Sequence, residues 1–126
     1  MGSTRTAVRT VGRFALAGVF LKGGWDAYQE PGPRPSIVEK AGLPEPETLV
    51  RLNGAAMVAG GAGLITGLLP RATATGLMVS LGATTMVGHR FWDQPDDAAR
   101  RQQLTQFLKN LAIIGGLAIY LSSADQ

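Results

Sequence analysis

The sequence contains no cysteine and only one histidine, and each scarcity excludes a class of chemistry. Without cysteine the chain can form no disulfide, cysteine-based zinc site or iron–sulfur cluster, and it holds no thiol nucleophile. A single histidine cannot build a multi-histidine metal site, and haem ligation would need a ligand from another protein, so we expect no metal and no intrinsic cofactor. Charge is also scarce, since 17% of the 126 residues are charged and 45% are hydrophobic. A chain this apolar is not disordered, and its length suits one domain.

The few charged residues are distributed unevenly. Residues 52–70 and 72–89 contain no charge, and only Arg71 separates them. Residues 110–124 are also uncharged, and residues 104–107 extend this segment backward. A membrane-spanning helix needs about 17–25 predominantly apolar residues. These three segments are therefore candidate transmembrane helices.

A fourth helix precedes them and is less apolar. Only eight uncharged residues lie between Arg13 and Lys22, too few to cross a membrane unaided. This helix can insert if Lys22 and Asp26 lie inside protein or extend to the membrane surface. The alternative of a cleaved signal peptide is disfavoured because its apolar region would be too short.

Together these segments predict an all-α fold, a four-helix transmembrane bundle in up-down-up-down order. The bundle forms a single integral membrane domain over residues 1–126, with helices near residues 8–28, 47–69, 72–90 and 95–123. In the first loop, Ser36 and Glu39 have the spacing of a capping box, which predicts a short interfacial helix near residues 36–41. A soluble helical bundle is the alternative, but little chain remains to cover two consecutive uncharged segments.

Small residues recur at four-residue spacing in the second and third of these helices. Such spacing lets helix backbones approach closely in a membrane, where no hydrophobic force acts between helices. A sequence rich in glycine and alanine also produces such stripes by composition alone. The candidate helix-packing residues are Ala59, Gly63, Gly67, Gly76, Ser80 and Gly88.

The helix ends that share one face of the predicted bundle carry a polar and aromatic cluster. Five of the eight aromatic residues fall there, including both tryptophans, whereas the opposite end has little beyond arginines. Within the cluster, Lys22 and Asp26 are one helical turn apart and can pair. The candidate ligand-binding residues are Lys22, Trp25, Asp26, Asn53, His89, Arg90, Trp92, Lys109 and Asn110.

Each of these residues also has an interpretation without a ligand. The tryptophans can form an aromatic belt at the headgroups, and His89, Lys109 and the asparagines can serve as hydrogen-bonded structural residues. The convergence of basic, aromatic and titratable side chains favours instead a pocket for the head of a quinone or an anionic lipid or substrate. No nucleophile–base set for catalysis is recognisable. No basic patch with stacking aromatics indicates nucleic acid either.

Several short motifs follow one another in a definite order along nearly the whole chain. They are Arg13 with Gly18-Val19-Phe20-Leu21, Gly42-Leu43-Pro44, Gly60-Gly61 with Gly63, His89-Arg90-Phe91-Trp92, and Phe107-Leu108-Lys109-Asn110-Leu111-Ala112 with Gly115-Gly116. In this order they resemble the DoxX family, and the last two motifs are the most specific. The resemblance implies a four-helix protein of the bacterial inner membrane. Some relatives are small subunits of quinone-linked oxidoreductases, including thiosulfate:quinone oxidoreductase, and others associate with membrane redox-defence enzymes.

Orientation follows less directly from the charges. Four spans place both termini on one side with Arg5, Arg9, Arg13 and Arg71, while more Lys and Arg residues lie on the other side. That count argues against a cytoplasmic N-terminus. The first helix often sets the orientation, however, and several opposing charges lie beside Asp or Glu. We therefore expect a multi-pass protein of the plasma (inner) membrane with both termini in the cytoplasm.

Three functions are consistent with these observations. The first is an accessory subunit of a membrane-bound redox complex that shapes a quinone or anionic-substrate site and is not catalytic alone. The second is a structural or assembly subunit that binds another membrane protein, or a second copy, through its small-residue stripes. The third is a lipid or small-solute binder or transporter with no chemistry of its own. The expected partners are the lipid bilayer and another membrane or membrane-associated protein.

Overall fold

The computed structural model describes residues 2–124, and helices are the only regular elements in that part of the chain. The prediction of an all-α fold is therefore confirmed. The elements are α1 (Gly2–Gln29), α2 (Arg34–Lys40), α3 (Pro46–Thr66), α4 (Pro70–Gly88), a 3₁₀ turn (Phe91–Asp93) and α5 (Asp97–Ser122).

The four long helices form an antiparallel bundle. Helix α1 packs on α3, α3 on α4, α4 on α5, and α5 closes the ring by touching α1. We call one end the N-terminal end, because it holds the start of α1, the α3–α4 turn and the end of α5. The opposite end is called the α2 end, because α2 lies there against α3 and α4.

The apolar core takes one large, fully buried side chain from each long helix. These four side chains are Phe20, Leu64, Leu77 and Leu117. In α3, Leu64 lies within one turn of the helix C-terminus, and Leu77 lies two turns into α4. These four side chains therefore lie towards the N-terminal end, and the α2 end buries the smaller Ala27 and Val50.

Helices α1 and α3 are in backbone contact at two glycines. A Cβ atom added to Gly54 would lie 2.6 Å from the carbonyl oxygen of Gly24 and 2.9 Å from the backbone nitrogen of Tyr28. A Cβ added to Gly24 would lie 2.6 Å from the carbonyl oxygen of Gly54. Because backbone atoms cannot rotate away as a side chain can, only glycine fits at both positions.

Two arginines fasten the ends of the same helix pair. Arg13 of α1 donates from Nε to the carbonyl of Leu64 at 2.8 Å and from Nη2 to that of Ile65 at 3.0 Å. Arg51 of α3 donates from Nη1 to the carbonyl of Tyr28 at 2.6 Å. The last carbonyls of a helix lack partners within it and carry partial negative charge. Each helix thus supplies a cation that caps the C-terminus of the other.

The turn between α3 and α4 corrects one predicted boundary and one predicted packing residue. Helix α3 ends at Thr66, short of residue 69, because Gly67 adopts a left-handed conformation with φ of +74° and its N–H bonds the carbonyl of Gly63. Such a cap ends a helix and favours glycine. Gly67 therefore caps α3 and does not pack within a helix. Pro70 then opens α4, where its missing N–H costs nothing.

The capping box predicted in the first loop is wrong, although a short helix does form there. Helix α2 begins at Arg34, so Ser36 and Glu39 lie inside it, and the N-cap residue is Pro33. Prolines fix φ near the helical value and lack N–H groups that would need capping. Two prolines, Pro33 and Pro35, therefore start this helix without a side-chain cap.

The other two helix starts also differ from the predicted positions. Helix α1 begins at Gly2 rather than near residue 8. Helix α5 begins at Asp97 rather than near residue 95, because the Asp96 carboxylate accepts a hydrogen bond from the N–H of Ala99 at 2.8 Å. An aspartate at this position is a favourable N-cap.

The predicted small-residue stripes contribute only partly to contacts within the chain. Gly63 lies against Thr73 of α4, and Ser80 is buried. Ala59 is exposed, however, and a Cβ added to Gly76 or Gly88 would meet no atom within 4 Å. At 3.6 residues per turn, each four-residue step rotates by about 40° beyond a full turn, so a long stripe leaves the interface.

By length and composition, two helices in residues 2–124 could cross a membrane. They are α3, with mean hydropathy 1.3, and α5, with mean hydropathy 1.4. Helix α1 carries five charged residues, and α4 contains Arg71, four threonines and a serine, which lower their hydropathy. Two of the four predicted spans therefore meet this test.

We predict that Gly54→Ala destabilises the bundle, whereas Gly76→Ala does not. The added methyl group at residue 54 forces apart two backbones, and overpacking of this kind costs about 1–3 kcal/mol. At residue 76 the space is open, so alanine should be neutral or gain up to about 1 kcal/mol through its higher helix propensity. Thermal unfolding of both variants in the same detergent measures this difference, and equal midpoints would contradict the α1–α3 contact.

Candidate functional site

The interior of the α2 end is polar, and most of its side chains are provided by α4. Asn53 of α3 lies between two hydroxyl groups, accepting from Ser80 Oγ at 2.6 Å and donating to Thr84 Oγ1 at 3.0 Å. Thr84 also donates to the carbonyl of Ser80 at 2.9 Å. This group ties α3 to α4.

A second polar contact ties α5 to α4. Asn110 is 7% exposed and Thr85 is 4% exposed. The amide of Asn110 donates to Thr85 Oγ1 at 3.1 Å, and Thr85 donates to the carbonyl of Leu81 at 2.6 Å. Within residues 2–124, every buried side-chain nitrogen and oxygen has a hydrogen-bond partner. The predicted role of both asparagines as bridges between helices thus agrees with their observed contacts.

His89 is half-buried directly after the last turn of α4. Its Nδ1 lies 2.8 Å from Oε1 of Gln103 on α5. The second ring nitrogen, Nε2, makes no hydrogen bond within residues 2–124. One nitrogen thus holds the ring in place.

Three aromatic rings pack together where the 3₁₀ turn after α4 meets α5. Phe91 meets Trp92 and Phe107 edge-to-face, at centroid distances of 5.1 and 5.3 Å, and Trp92 meets Phe107 at 6.0 Å. Arg90 lies 5.6 Å from the Trp92 ring and pairs with Asp93. We call Phe91, Trp92 and Phe107 the aromatic cluster.

The candidates on α1 lie elsewhere, on the outer surface of the α1–α3 pair. Lys22 and Asp26 form an ion pair, as predicted, but the Lys22 side chain is 78% exposed. Trp25 stacks on Tyr28 at a centroid distance of 6.4 Å. These two rings line a groove of about 260 Å³ with Ala55 and Val58.

The nine candidate residues therefore fall into separate groups and do not form one pocket. Lys22, Trp25 and Asp26 lie on the outer surface of α1. Asn53 and Asn110 are used in helix contacts, and His89, Arg90 and Trp92 lie at the α4–α5 junction. Lys109 is exposed and makes no hydrogen bond or ion pair within residues 2–124. An end shared along the bundle axis does not ensure a shared face, and helix rotation separates these residues.

Sequence reasoning missed Gln103 and the two capping arginines as partners. Gln103 lies in the second turn of α5, opposite the end of α4, so an antiparallel pairing of these helices could have suggested it. Arg51 lies about one turn after the start of α3. The end of α1 must lie beside this turn in an antiparallel pair, so the position could have suggested that Arg51 caps α1. Within residues 2–124, no group of three or more metal-ligating side chains occurs.

The DoxX family model matches residues 8–90, more than half of the chain. Neither the search of curated proteins nor that of solved structures gave a match.

We predict that Asn53 and Ser80 are energetically coupled. Loss of either leaves a buried polar atom without its partner, so Asn53→Ala and Ser80→Ala should each lower stability by about 1–2 kcal/mol. The loss in the free energy of unfolding of the double variant should be smaller than the sum of the two single losses by about 0.5 kcal/mol or more. Equilibrium unfolding in mixed micelles measures the cycle, with Lys109→Ala as a neutral control, and additive losses would contradict the coupling.

Proposed function

Since the chain belongs to the DoxX family, we propose that it is a four-span accessory subunit of a redox complex in the bacterial inner membrane. Membership supports this because proteins of the family are membrane proteins often associated with redox complexes. The sequence holds no cysteine, so an iron–sulfur electron carrier would come from the partner.

Membrane insertion is supported by the large share of the apolar helices α3 and α5 that the chain itself leaves exposed. Only 28% of the apolar window of α3 and 17% of that of α5 is buried inside the chain. Apolar surface left exposed in water opposes folding, whereas lipid tails solvate it. A surrounding of lipid, or of a partner's transmembrane helices, accounts for this surface better than water does.

The charges on α1 are compatible with a further span. Arg13 gives its hydrogen bonds to two backbone carbonyls of α3, and Lys22 pairs with Asp26. Charges in a membrane are tolerated when they pair with each other or with carbonyls. Asp26 lies one turn nearer the α2 end than Lys22, so the ammonium group is drawn towards the membrane surface.

The free nitrogen of His89 carries the proposal of a quinone site. When Gln103 Oε1 accepts from Nδ1–H, Nε2 of the neutral ring is an acceptor for a quinol hydroxyl. Nε2 of the protonated ring donates to a quinone carbonyl. Phe91 and Trp92 offer aromatic faces to the ring of the ligand. A bound quinone would supply electron transfer, while this chain would orient its head and hold a proton at Nε2.

We predict that a water-soluble quinone analogue binds the purified full-length protein and that His89→Gln weakens this binding about tenfold or more. Loss of one hydrogen bond from the imidazole of His89, which is charged when protonated, costs about 1.5–3 kcal/mol, and this free energy corresponds to a tenfold or larger change in affinity. Gln103→Leu should weaken binding less, because the ring remains but loses its orientation. The dissociation constant is measured by adding the analogue to the protein and following the change in tryptophan fluorescence.

The control variant is Lys109→Ala. Lys109 lies on α5 like Gln103, but it is exposed and has no partner within residues 2–124. Its replacement should leave binding unchanged. Equal affinities for the wild type and the His89 and Gln103 variants would exclude the quinone site at His89.

The second proposal is a structural or assembly subunit. It is favoured because the buried polar side chains of residues 2–124 all have hydrogen-bond partners. Asn53, Ser80, Thr85 and Asn110 all have partners inside the chain, so none of them requires a ligand. The open space above Gly76, beside Val79 with 67% exposure, would then receive a helix of the partner.

We predict for this second proposal that Gly76→Leu releases a membrane protein that co-purifies with the wild type, without lowering the stability of the chain. The leucine would occupy the space into which a partner helix packs. Gly63 is unsuitable for this test, because it lies against Thr73 and its replacement would disturb the bundle. Mass spectrometry of affinity-purified complexes measures release, and retention of the partner would contradict docking at Gly76.

A further inference from the structure

Helix α1 extends beyond the end of α3 at the N-terminal end. Arg13 is level with the last turn of α3, because it caps Leu64 and Ile65. Residues 2–12 precede it, and at 1.5 Å per residue they continue α1 for about 16 Å. We call residues 2–12 the N-terminal arm. All of residues 2–8 are exposed.

The N-terminal arm combines cations without partners and exposed apolar side chains. Arg5 and Arg9 make no hydrogen bond or ion pair within residues 2–124. Val8 is 65% exposed and Val11 is 69% exposed. At the same end, the α3–α4 turn exposes Leu68 and Leu69 by 67% and 76%. Such a combination is typical of segments that lie at a membrane surface.

The two ends of the bundle differ in charge balance. Among the described residues, the N-terminal end has four arginines and no acidic residue, and the sequence adds only Asp125, outside that part of the chain. The α2 end carries eight basic and eight acidic residues. Four of its ion pairs join residues three or four apart, as in Lys22–Asp26 and Arg51–Glu47. Excess positive charge is therefore confined to the N-terminal end.

The length of α1 places the arm at the headgroups. Arg9 lies about 6 Å and Arg5 about 12 Å beyond Arg13 along the helix axis. The headgroup region on each side of a bilayer is about 5–8 Å thick beyond the hydrocarbon core. If the α3–α4 turn lies at the edge of the core, Arg9 reaches the phosphates and Arg5 their outer side.

We propose that the N-terminal arm binds the anionic headgroups of phospholipids on its side of the membrane. Arg5 and Arg9 pair with headgroup phosphates, Val8 lies among the headgroups, and Val11, about 3 Å beyond Arg13 along the axis, lies nearest the acyl chains. This surface rests on membrane insertion but not on the proposed redox role. Two basic residues near an anionic surface favour docking about thirtyfold at low salt, and added salt weakens it.

The absence of cysteine makes a single-thiol test direct. Val8→Cys carries an environment-sensitive fluorophore in the full-length protein, reconstituted into nanodiscs of phosphatidylcholine alone or mixed with phosphatidylglycerol. We expect phosphatidylglycerol to shift the emission to shorter wavelength and to reduce quenching by neutral acrylamide. Adding Arg5→Gln and Arg9→Gln should abolish this response, and so should high salt.

Two controls make the outcomes distinct. Arg100→Gln with Arg101→Gln removes two arginines from the balanced α2 end and should preserve the response. A label at Val79→Cys, on the exposed face of α4, reports insertion and should be protected in both lipid mixtures.

Protection at residue 79 with no effect of phosphatidylglycerol at residue 8 overturns the lipid proposal alone. If the label at residue 8 is already protected in phosphatidylcholine alone and phosphatidylglycerol changes nothing, the lipid proposal is also overturned. A second copy of the chain would then be what shields residue 8. Loss of protection at residue 79 overturns membrane insertion itself.

Discussion

The reciprocal capping of α1 and α3 fixes the register on which the rest of the bundle depends. Arg13 and Arg51 each bind carbonyls at the end of the opposite helix, so a shift of one turn would break both sets of bonds together. Hydrogen bonds from a charged donor are worth about 1.5–3 kcal/mol each. This register brings Gly24 and Gly54 into backbone contact. It also leaves residues 2–12 beyond the end of α3.

Helix α4 connects the α1–α3 pair to α5 through polar side chains. Its hydroxyl groups bond Asn53 on one side and Asn110 on the other, and His89 after its last turn meets Gln103. In a membrane, helices gain nothing from exclusion of water, so packing and hydrogen bonds must hold them together. Three of the five hydroxyls that lower the hydropathy of α4, those of Ser80, Thr84 and Thr85, are therefore groups that bind it to its neighbours. The four-span proposal therefore relies on these contacts for α4 and not on its hydropathy.

Much of the fold could be predicted from the sequence, because charge-free segments and prolines mark the long helices and their breaks. The polar end of the bundle could also be predicted, since antiparallel connections determine which helix ends meet. The azimuth of each residue around its helix could not, and it decides whether Lys109 points outward or Asn110 inward. The partners of His89 and Arg13 depend on contacts across 14 and 51 residues. Such contacts follow from the register of packed helices, which no local pattern encodes.

The two ends of the bundle differ in what they leave available, and this difference bears on how the chain would serve a larger complex. At the α2 end, ion pairs and hydrogen bonds satisfy most polar groups, and Nε2 of His89 beside the aromatic cluster remains for a ligand. At the N-terminal end, Arg5 and Arg9 have no partners within residues 2–124. A subunit that must hold a fixed position beside an enzyme needs anchoring that does not obstruct its contact surface. Lipid binding at the N-terminal end and ligand binding at the α2 end would meet both needs, because α1 spans the distance between them.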